Sequence, residues 1–169
     1  MNYAFFEQLA EAEAHAYLAT FLEEERKRIP PEWWERLRAD GVNAIESYFA
    51  EFVTKIGLHS VSPPADLPAY IVESMERDHG GFREFSSDAD RISVLAAAFY
   101  FGEAFRQSFD ALSWSVGRPG RAEQGQPALT GFSSGSDLPV LIVTENLVLD
   151  YALDPSRVGT AIQTWTQFV

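Results

Sequence analysis

A chain of 169 residues that is 46% hydrophobic and 14% aromatic can bury one core, which indicates a single globular domain over residues 1–169 and excludes a disordered chain. Its net charge of −12 counts against nucleic-acid binding, which requires lysine and arginine. The absence of cysteine excludes disulfides, thiol nucleophiles and thiolate metal sites.

The N-terminus lacks the basic start of a signal peptide and carries glutamates within its apolar pattern, so we expect a cytoplasmic protein. The apolar runs are too short to cross a bilayer, which predicts no membrane contact. Residues 1–85 hold 16 acidic and 8 basic side chains, and residues 86–169 hold 9 and 5. This excess of acid favours a basic protein as the partner. We expect no cofactor and no metal, and the sequence does not indicate an oligomeric state.

Three helices are predicted before residue 85, over residues 3–28, 31–56 and 66–78. Prolines 30 and 31 separate the first two, and Gly41 is expected to break or bend the second. Residues 58–64 are predicted to be a linker. In the third helix Asp66 is the expected cap, Tyr70 is expected to face inward, and residues 79–81 (His-Gly-Gly) are expected to stop the helix.

A central helix is predicted from about residue 88 to residue 110. Its signal is the unbroken apolar run of residues 94–101, which is too long for a strand and follows a capping signal at Ser87 or Asp88. A helix that is apolar on nearly every side must be covered on nearly every side. We therefore expect the other elements to pack around it.

Strands are predicted after the central helix, over residues 111–116, 126–132 and 139–143, with residues 147–151 extending or pairing with the last. Asp154 and Pro155 are expected to cap a final helix with Val158, Ile162, Trp165 and Phe168 or Val169 inward. The predicted fold class is α+β. N-terminal helices surround a buried central helix within residues 1–110. A small antiparallel three- or four-stranded meander and a C-terminal helix follow within residues 111–169.

Residues 131–135 read Gly-Phe-Ser-Ser-Gly, which matches the nucleophile elbow of serine hydrolases. That site requires a helix after the serine and a histidine later in the chain. All three histidines, at 15, 59 and 79, precede Ser133, and none has the spacing of metal ligands. The segment is therefore predicted to be a turn, and no catalytic residue is assigned.

Glu103 is a carboxylate within the apolar helix, with Arg106 one turn later. One interpretation is structural, with Glu103 paired to Arg106, to a backbone N–H or to a tryptophan N–H of the sheet. The other is a functional carboxylate with a raised pKa, in a pocket formed by Glu103, Arg106 and Trp114.

Glu23, Glu24 and Glu25 form an acidic helix end close to two tryptophans. Because Trp34 falls on the inward stripe, Trp33 is predicted to be the exposed one. The three glutamates and Trp33 are then a candidate surface for a basic partner. The alternative is a solvated helix end with both tryptophans in the core.

Residues 100–103, Tyr-Phe-Gly-Glu, are followed by an aromatic-led strand at Trp114 and a strand at Gln126-Pro127. This order resembles small uncharacterised bacterial domains in which a Y-x-G-E helix precedes a tryptophan strand and a short meander. Some of these look like immunity proteins of bacterial toxin systems. The resemblance covers about residues 92–150. It implies an α+β fold and a non-catalytic role, and it transfers no catalytic residue.

Three functions are consistent with the sequence. The first is a non-catalytic cytoplasmic binding protein, such as an immunity protein that neutralises a basic toxin. The second is a small-molecule binder or enzyme that uses Glu103 in a pocket between the central helix and the sheet. The third is a structural or scaffold subunit.

Overall fold

The computed structural model describes residues 4–79, 81–151 and 154–169, except for the side chains of residues 78 and 79. Its helices are α1 (Ala4–Glu7), α2 (Glu11–Arg28), α3 (Pro31–Asp40), α4 (Ala44–Val53), α5 (Ala69–His79), α6 (Asp88–Ser108), α7 (Val140–Tyr151) and α8 (Ser156–Thr166). Its strands are β1 (Leu58–Val61), β2 (Phe82–Phe85), β3 (Ser113–Val116) and β4 (Pro127–Thr130). Part of the predicted stop after α5, Gly80, lies outside the described residues.

Helix α6 is the centre of the fold, as the apolar run predicts. Ser87 caps it, because its extended backbone lets Oγ accept a hydrogen bond from the Asp90 N–H at 3.2 Å. All residues from Ala96 to Phe105 are buried. Helices α2, α4 and α7 pack against it, and one hydrophobic cluster joins residues from Phe6 to Val158.

The two predicted N-terminal helices are each broken once. The first is divided into α1 and α2. The second is divided at Gly41, where φ is +54° and a short 3-10 turn over Gly41–Asn43 separates α3 from α4. The Ser108 hydroxyl at the end of α6 accepts a hydrogen bond from the Val42 N–H at 3.0 Å. The predicted bend at Gly41 is confirmed, and it folds α4 back along the central helix.

The strand predicted over residues 139–143 is wrong, as is the strand at 147–151. Both lie in α7, the helix that packs most extensively on α6. The buried residues of α7 recur at helical spacing: Val140, Leu141, Thr144, Glu145, Leu147 and Val148. A short apolar run does not by itself distinguish a buried strand from a buried helix, and here tertiary packing overrides the β-propensity of Val and Ile.

The predicted meander is therefore replaced by two separate two-stranded antiparallel sheets. Strands β3 and β4 pair from Ser113↔Thr130 to Val116↔Pro127, and a single bridge between Leu129 and Leu138 stands where a third strand was predicted. Strands β1 and β2 pair from Leu58↔Phe85 to Val61↔Phe82. The α+β class, the buried central helix and the C-terminal helix are confirmed, whereas the three- or four-stranded sheet is wrong. The predicted inward position of Phe168 or Val169 is also wrong, since α8 ends at Thr166 and the two residues are 39% and 38% exposed.

The segment between α4 and α6 also differs from its prediction. Residues 58–61 form β1 and not a linker, because Phe82–Phe85 supplies a pairing strand that lies more than 20 residues later. Helix α5 begins at Ala69, three residues after the predicted cap. Tyr70, predicted to face inward, is 72% exposed.

Candidate functional site

Glu103, Arg106 and Trp114, the predicted pocket residues, form one hydrogen-bonded network. Arg106 donates Nε to Oε2 of Glu103 at 2.8 Å and Nη2 to Oε1 at 2.6 Å. Gln107 donates Nε2 to Oε1 at 2.9 Å, and the indole N–H of Trp114 donates to Oε2 at 3.1 Å. Each carboxylate oxygen thus accepts two hydrogen bonds, two of them from a bidentate guanidinium.

The network decides the ionisation of Glu103. Burial raises the pKa of the Glu103 carboxyl group, but the hydrogen bonds from Arg106, Gln107 and Trp114 outweigh burial and bring the pKa below its ordinary value of 4.5. Glu103 is therefore ionised at neutral pH, and it lacks the raised pKa that a general acid needs. The raised pKa predicted for a functional Glu103 is wrong, and the structural interpretation agrees with the geometry.

Trp114 fills the space in which the pocket was predicted. A Cβ atom on Gly102 would lie 2.3 Å from Cη2 of Trp114 and 3.0 Å from Cγ1 of Val140. The indole stacks on the ring of Phe99 at 6.1 Å and meets the ring of Phe21 edge-on at 5.8 Å. The absence of a side chain at Gly102 is what lets β3 approach α6 this closely.

Gly102→Ala is expected to destabilise the protein by about 1–2 kcal/mol. Alanine gains up to ~1 kcal/mol in helix propensity, but overpacking a filled core costs about 1–3 kcal/mol, and the overlap here is with a rigid indole. Urea midpoints of Gly102→Ala and the wild type measure the difference. A more stable variant would show that Trp114 can move away from α6.

Tyr100 begins the Tyr-Phe-Gly-Glu segment and has a packing role of its own. Its hydroxyl donates to the carbonyl oxygen of Trp33 at 3.3 Å, and its ring stacks on that of Tyr48 at 4.0 Å. Burial raises the pKa of Tyr100 to about 12, so the hydroxyl stays a donor. The segment therefore joins α6 to α3 through Tyr100, admits Trp114 at Gly102 and binds its indole at Glu103.

The acidic helix end at residues 23–25 is divided between surface and interior. Lys27 Nζ lies 2.9 Å from Oε1 of Glu23 and 2.9 Å from Oε1 of Glu24, and its hydrogen bond lowers the pKa of Glu23. Glu25 is only 4% exposed, and burial raises its pKa. Its Oε2 lies 3.5 Å from Nε of Arg28. The predicted partner surface is thus two exposed glutamates that share one lysine, beside a buried glutamate.

The predicted exposure of Trp33 is wrong. Trp33 is 3% exposed, and the Arg36 guanidinium lies 4.3 Å from its ring centroid. Trp34 is the partly exposed one, and its indole N–H donates to the Arg26 carbonyl oxygen at 3.4 Å. The prediction draws one inward stripe through residues 31–56 and continues it across the bend at Gly41. The break at Gly41 gives α3 its own inward stripe, on which Trp33 and Leu37 lie one turn apart.

Trp33 lines a cavity of about 220 Å³ where α2, α3, α4 and α6 meet. Its walls include the aromatic residues Trp33, Tyr48 and Phe52, and its polar groups include Arg28, Glu51 and Lys55. Lys55 Nζ pairs with Oε1 of Glu51 at 2.9 Å on the surface. This combination suits a small apolar group that carries a polar end. The sequence did not indicate the cavity, because its walls come from four elements that only the folded chain brings together.

Ser133 lies in a turn, as predicted, and its hydroxyl donates to the carbonyl oxygen of Phe168 at 2.7 Å. The Ser133 N–H donates to the same oxygen. The residues after Ser133 continue as a turn and not as the helix that a nucleophile elbow requires. The serine therefore holds the end of the chain in place.

Ser133→Ala is expected to change the free energy of unfolding by less than about 1 kcal/mol, since one exposed hydrogen bond is lost and the backbone bond to Phe168 remains. A serine-directed phosphonate probe is expected to leave Ser133 unlabelled. Labelling that disappears in Ser133→Ala would contradict the assignment.

Comparison with known proteins gives no relative. No family model matches the chain, and neither a curated protein nor a solved structure matches it. The resemblance to immunity-like domains therefore stays a prediction. Within the described residues, no helix is long and apolar enough to span a bilayer, and no group of three His, Cys, Asp or Glu residues could hold a metal ion.

Proposed function

We propose that the chain is a non-catalytic binding protein whose partner is a basic protein, acting in the manner of an immunity protein that occupies a toxin. The observation that carries the proposal is the charge of α1 and of α2 as far as Glu25, before the three cations that end α2. Residues 1–25 contain six glutamates and no lysine or arginine. Of these, Glu7, Glu11 and Glu13 are exposed to solvent, and all three precede Arg26, the first lysine or arginine in the sequence. Such a field attracts basic proteins.

The state of Glu103 supports the non-catalytic part of the proposal. Its two oxygens are occupied by four hydrogen bonds, and its low pKa suits neither an acid nor a base at neutral pH. Glu103 is explained by packing, without any reaction.

Association with a basic partner is expected to be fast at low salt and to slow by about tenfold or more as salt screens the encounter. The partner to test is a basic protein encoded by a gene adjacent to this one. Stopped-flow association rates at several salt concentrations measure the effect. A rate that does not depend on salt would leave the acidity with a role in solubility only.

Growth provides the functional test. Expression of the adjacent basic protein alone is expected to inhibit growth, and co-expression of this chain is expected to restore it. The control is Phe105→Ala, which retains the surface charges and removes a core side chain. Rescue by the wild type without physical association would contradict the proposal, as would failure to rescue.

The cavity at Trp33 favours a second candidate function, the binding of a small apolar molecule with a polar end. A library of small aromatic acids, screened by thermal shift, tests this candidate. Ser93→Phe places a large side chain at the cavity wall and is expected to abolish any shift. Glu103→Gln lies outside the cavity lining and serves as the control. A shift that persists in Ser93→Phe would place the ligand elsewhere.

A further inference from the structure

The charged groups around the cavity at Trp33 are mainly basic, although the chain as a whole is acidic. Arg28 and Lys55 line the cavity as cations, and Glu51 is the only carboxylate that the described residues contribute to the lining. The guanidinium of Arg36 lies close by, 4.3 Å from the ring centroid of Trp33. In the whole chain acidic side chains outnumber lysines and arginines by 25 to 13. A local excess of cations in such a chain favours an anionic ligand group.

The carboxylates beside the cavity use only part of the hydrogen-bonding capacity of these cations. Lys55 donates one hydrogen bond to Oε1 of Glu51 at 2.9 Å, and an ammonium group has further N–H donors. Among the described residues the only partner of the Arg28 side chain is Glu25, whose Oε2 lies 3.5 Å from Nε. That oxygen accepts no hydrogen bond within the described part of the chain. The N–H donors of the Arg28 guanidinium therefore remain available to a ligand.

The size and the walls of the cavity define the apolar part of the ligand. Its volume is about 220 Å³, and an apolar cavity of about 150 Å³ holds one benzene molecule. The remaining space accommodates a short polar substituent. The rings of Trp33 and Tyr48 meet edge to face at 5.0 Å, and Tyr48 also stacks on Tyr100 at 4.0 Å. Because these contacts hold the wall in place before a ligand arrives, binding does not have to order it.

We propose that the cavity at Trp33 binds a small monocarboxylic acid whose apolar body is about the size of one ring. The proposal rests on the second candidate function and names the charge of the ligand's polar end. The apolar body lies against Trp33, Tyr48 and Phe52. The carboxylate accepts hydrogen bonds from Arg28 and Lys55, and a guanidinium and a carboxylate can form two parallel hydrogen bonds.

The same charged groups disfavour other polar ends. An ammonium group would meet Arg28 and Lys55, and Glu51 is already paired with Lys55. A neutral amide could accept a hydrogen bond through its carbonyl oxygen, but it lacks the charge that makes such bonds strong. A carboxylate is thus the polar end that the donors around this cavity select.

The experiment measures the binding of phenylacetate, phenylacetamide and phenethylamine by isothermal titration calorimetry. The three probes share a phenyl ring and differ in the charge of the polar end. Phenylacetate is expected to bind at least about tenfold more tightly than either of the others, as a charge-assisted hydrogen bond predicts. Ser93→Phe, which places a large side chain at the cavity wall, is expected to abolish the binding of phenylacetate.

Arg28→Gln and Lys55→Gln test the two cations. Each is expected to weaken phenylacetate binding by about tenfold, with little effect on phenylacetamide. The matched controls are Arg38→Gln and Lys27→Gln, which lie outside the lining and should bind like the wild type. Arg38, like Arg28, pairs with a glutamate three residues earlier, and Lys27, like Lys55, pairs with one four residues earlier. All four side chains are at least 42% exposed, so unchanged urea midpoints should confirm that the variants fold.

Several outcomes would overturn the proposal. They are equal affinity for phenylacetate and phenylacetamide, phenylacetate binding that persists in Ser93→Phe, and a loss in the control variants as large as in Arg28→Gln and Lys55→Gln. If phenylacetamide or phenethylamine binds most tightly and Ser93→Phe abolishes that binding, the carboxylate is wrong while the second candidate function stands. If none of the three probes binds, the proposal and the second candidate function are both wrong.

Discussion

Phe105→Ala is expected to lower the free energy of unfolding by about 3–5 kcal/mol, the usual range for a buried phenylalanine. Phe105 is fully buried on α6, and its ring lies 5.2 Å from that of Phe101 and 6.2 Å from that of Phe109. The helices around α6 can close the resulting cavity only in part. A domain of this kind has about 5–15 kcal/mol of stability, so the loss is a large share. Urea denaturation followed by circular dichroism measures it.

Phe5→Ala is the matched control for this prediction. It removes the same side chain from a position that is 50% exposed, where substitutions usually change stability by about 0.5 kcal/mol or less. Phe99→Ala, which removes a ring stacked on Trp114, should behave like Phe105→Ala. Equal midpoints for Phe5→Ala and Phe105→Ala would show that α6 is not the centre of the core.

The central helix could be predicted from sequence because several local signals agree there. The apolar run from Val94 to Phe101 is too long for a strand, and Ser87 supplies a cap just before the helix. Gly41 was likewise a local signal, since glycine both interrupts a helix and permits the positive φ found there. Features that depend only on neighbours in the chain are the ones that the sequence predicted.

The errors lie where tertiary contacts decide. The segment Val-Leu-Ile-Val at residues 140–143 has the composition of a strand, and its helical state becomes evident only from its packing on α6. Strand β1 forms because Phe82–Phe85 pairs with it. No sequence pattern near residues 58–61 indicates that pairing. Trp33 is buried and not exposed because α3 has an inward stripe of its own, which does not continue the stripe of the residues after Gly41.

The candidate sites show the same division. The bonds of Glu103 to Arg106 and Trp114 could be anticipated, because a carboxylate within an apolar helix must find partners. The cavity at Trp33 could not, since it gathers residues from elements distant in sequence. The sequence thus identified a side chain that needs hydrogen-bond partners, whereas the structure was needed to find the cavity.

Glu103→Gln is expected to lower the free energy of unfolding at neutral pH by about 2–3 kcal/mol. Glutamine keeps one carbonyl acceptor but presents an amide to Arg106, and a hydrogen-bonding partner is left unmatched. The estimate lies below the range for a fully buried ion pair because the side chain of Arg106 is 39% exposed and can turn to water. Glu35→Gln is the matched control. Glu35 also pairs with an arginine three residues later, Arg38, but on the surface, where breaking an ion pair has little effect.

The effect of Glu103→Gln should depend on pH in a defined direction. The pKa of Glu103 is lower in the folded protein than its ordinary value of 4.5, so the folded state binds this proton less readily than the unfolded state. The stabilisation by Glu103 is therefore complete above pH 4.5 and is lost as the pH falls through the folded-state pKa. Urea midpoints of the wild type and Glu103→Gln should differ at neutral pH and converge in acid, because protonated Glu103 resembles glutamine. A difference that stays constant on acidification would mean that the carboxylate charge does not stabilise this network, and that Glu103 acts through its shape alone.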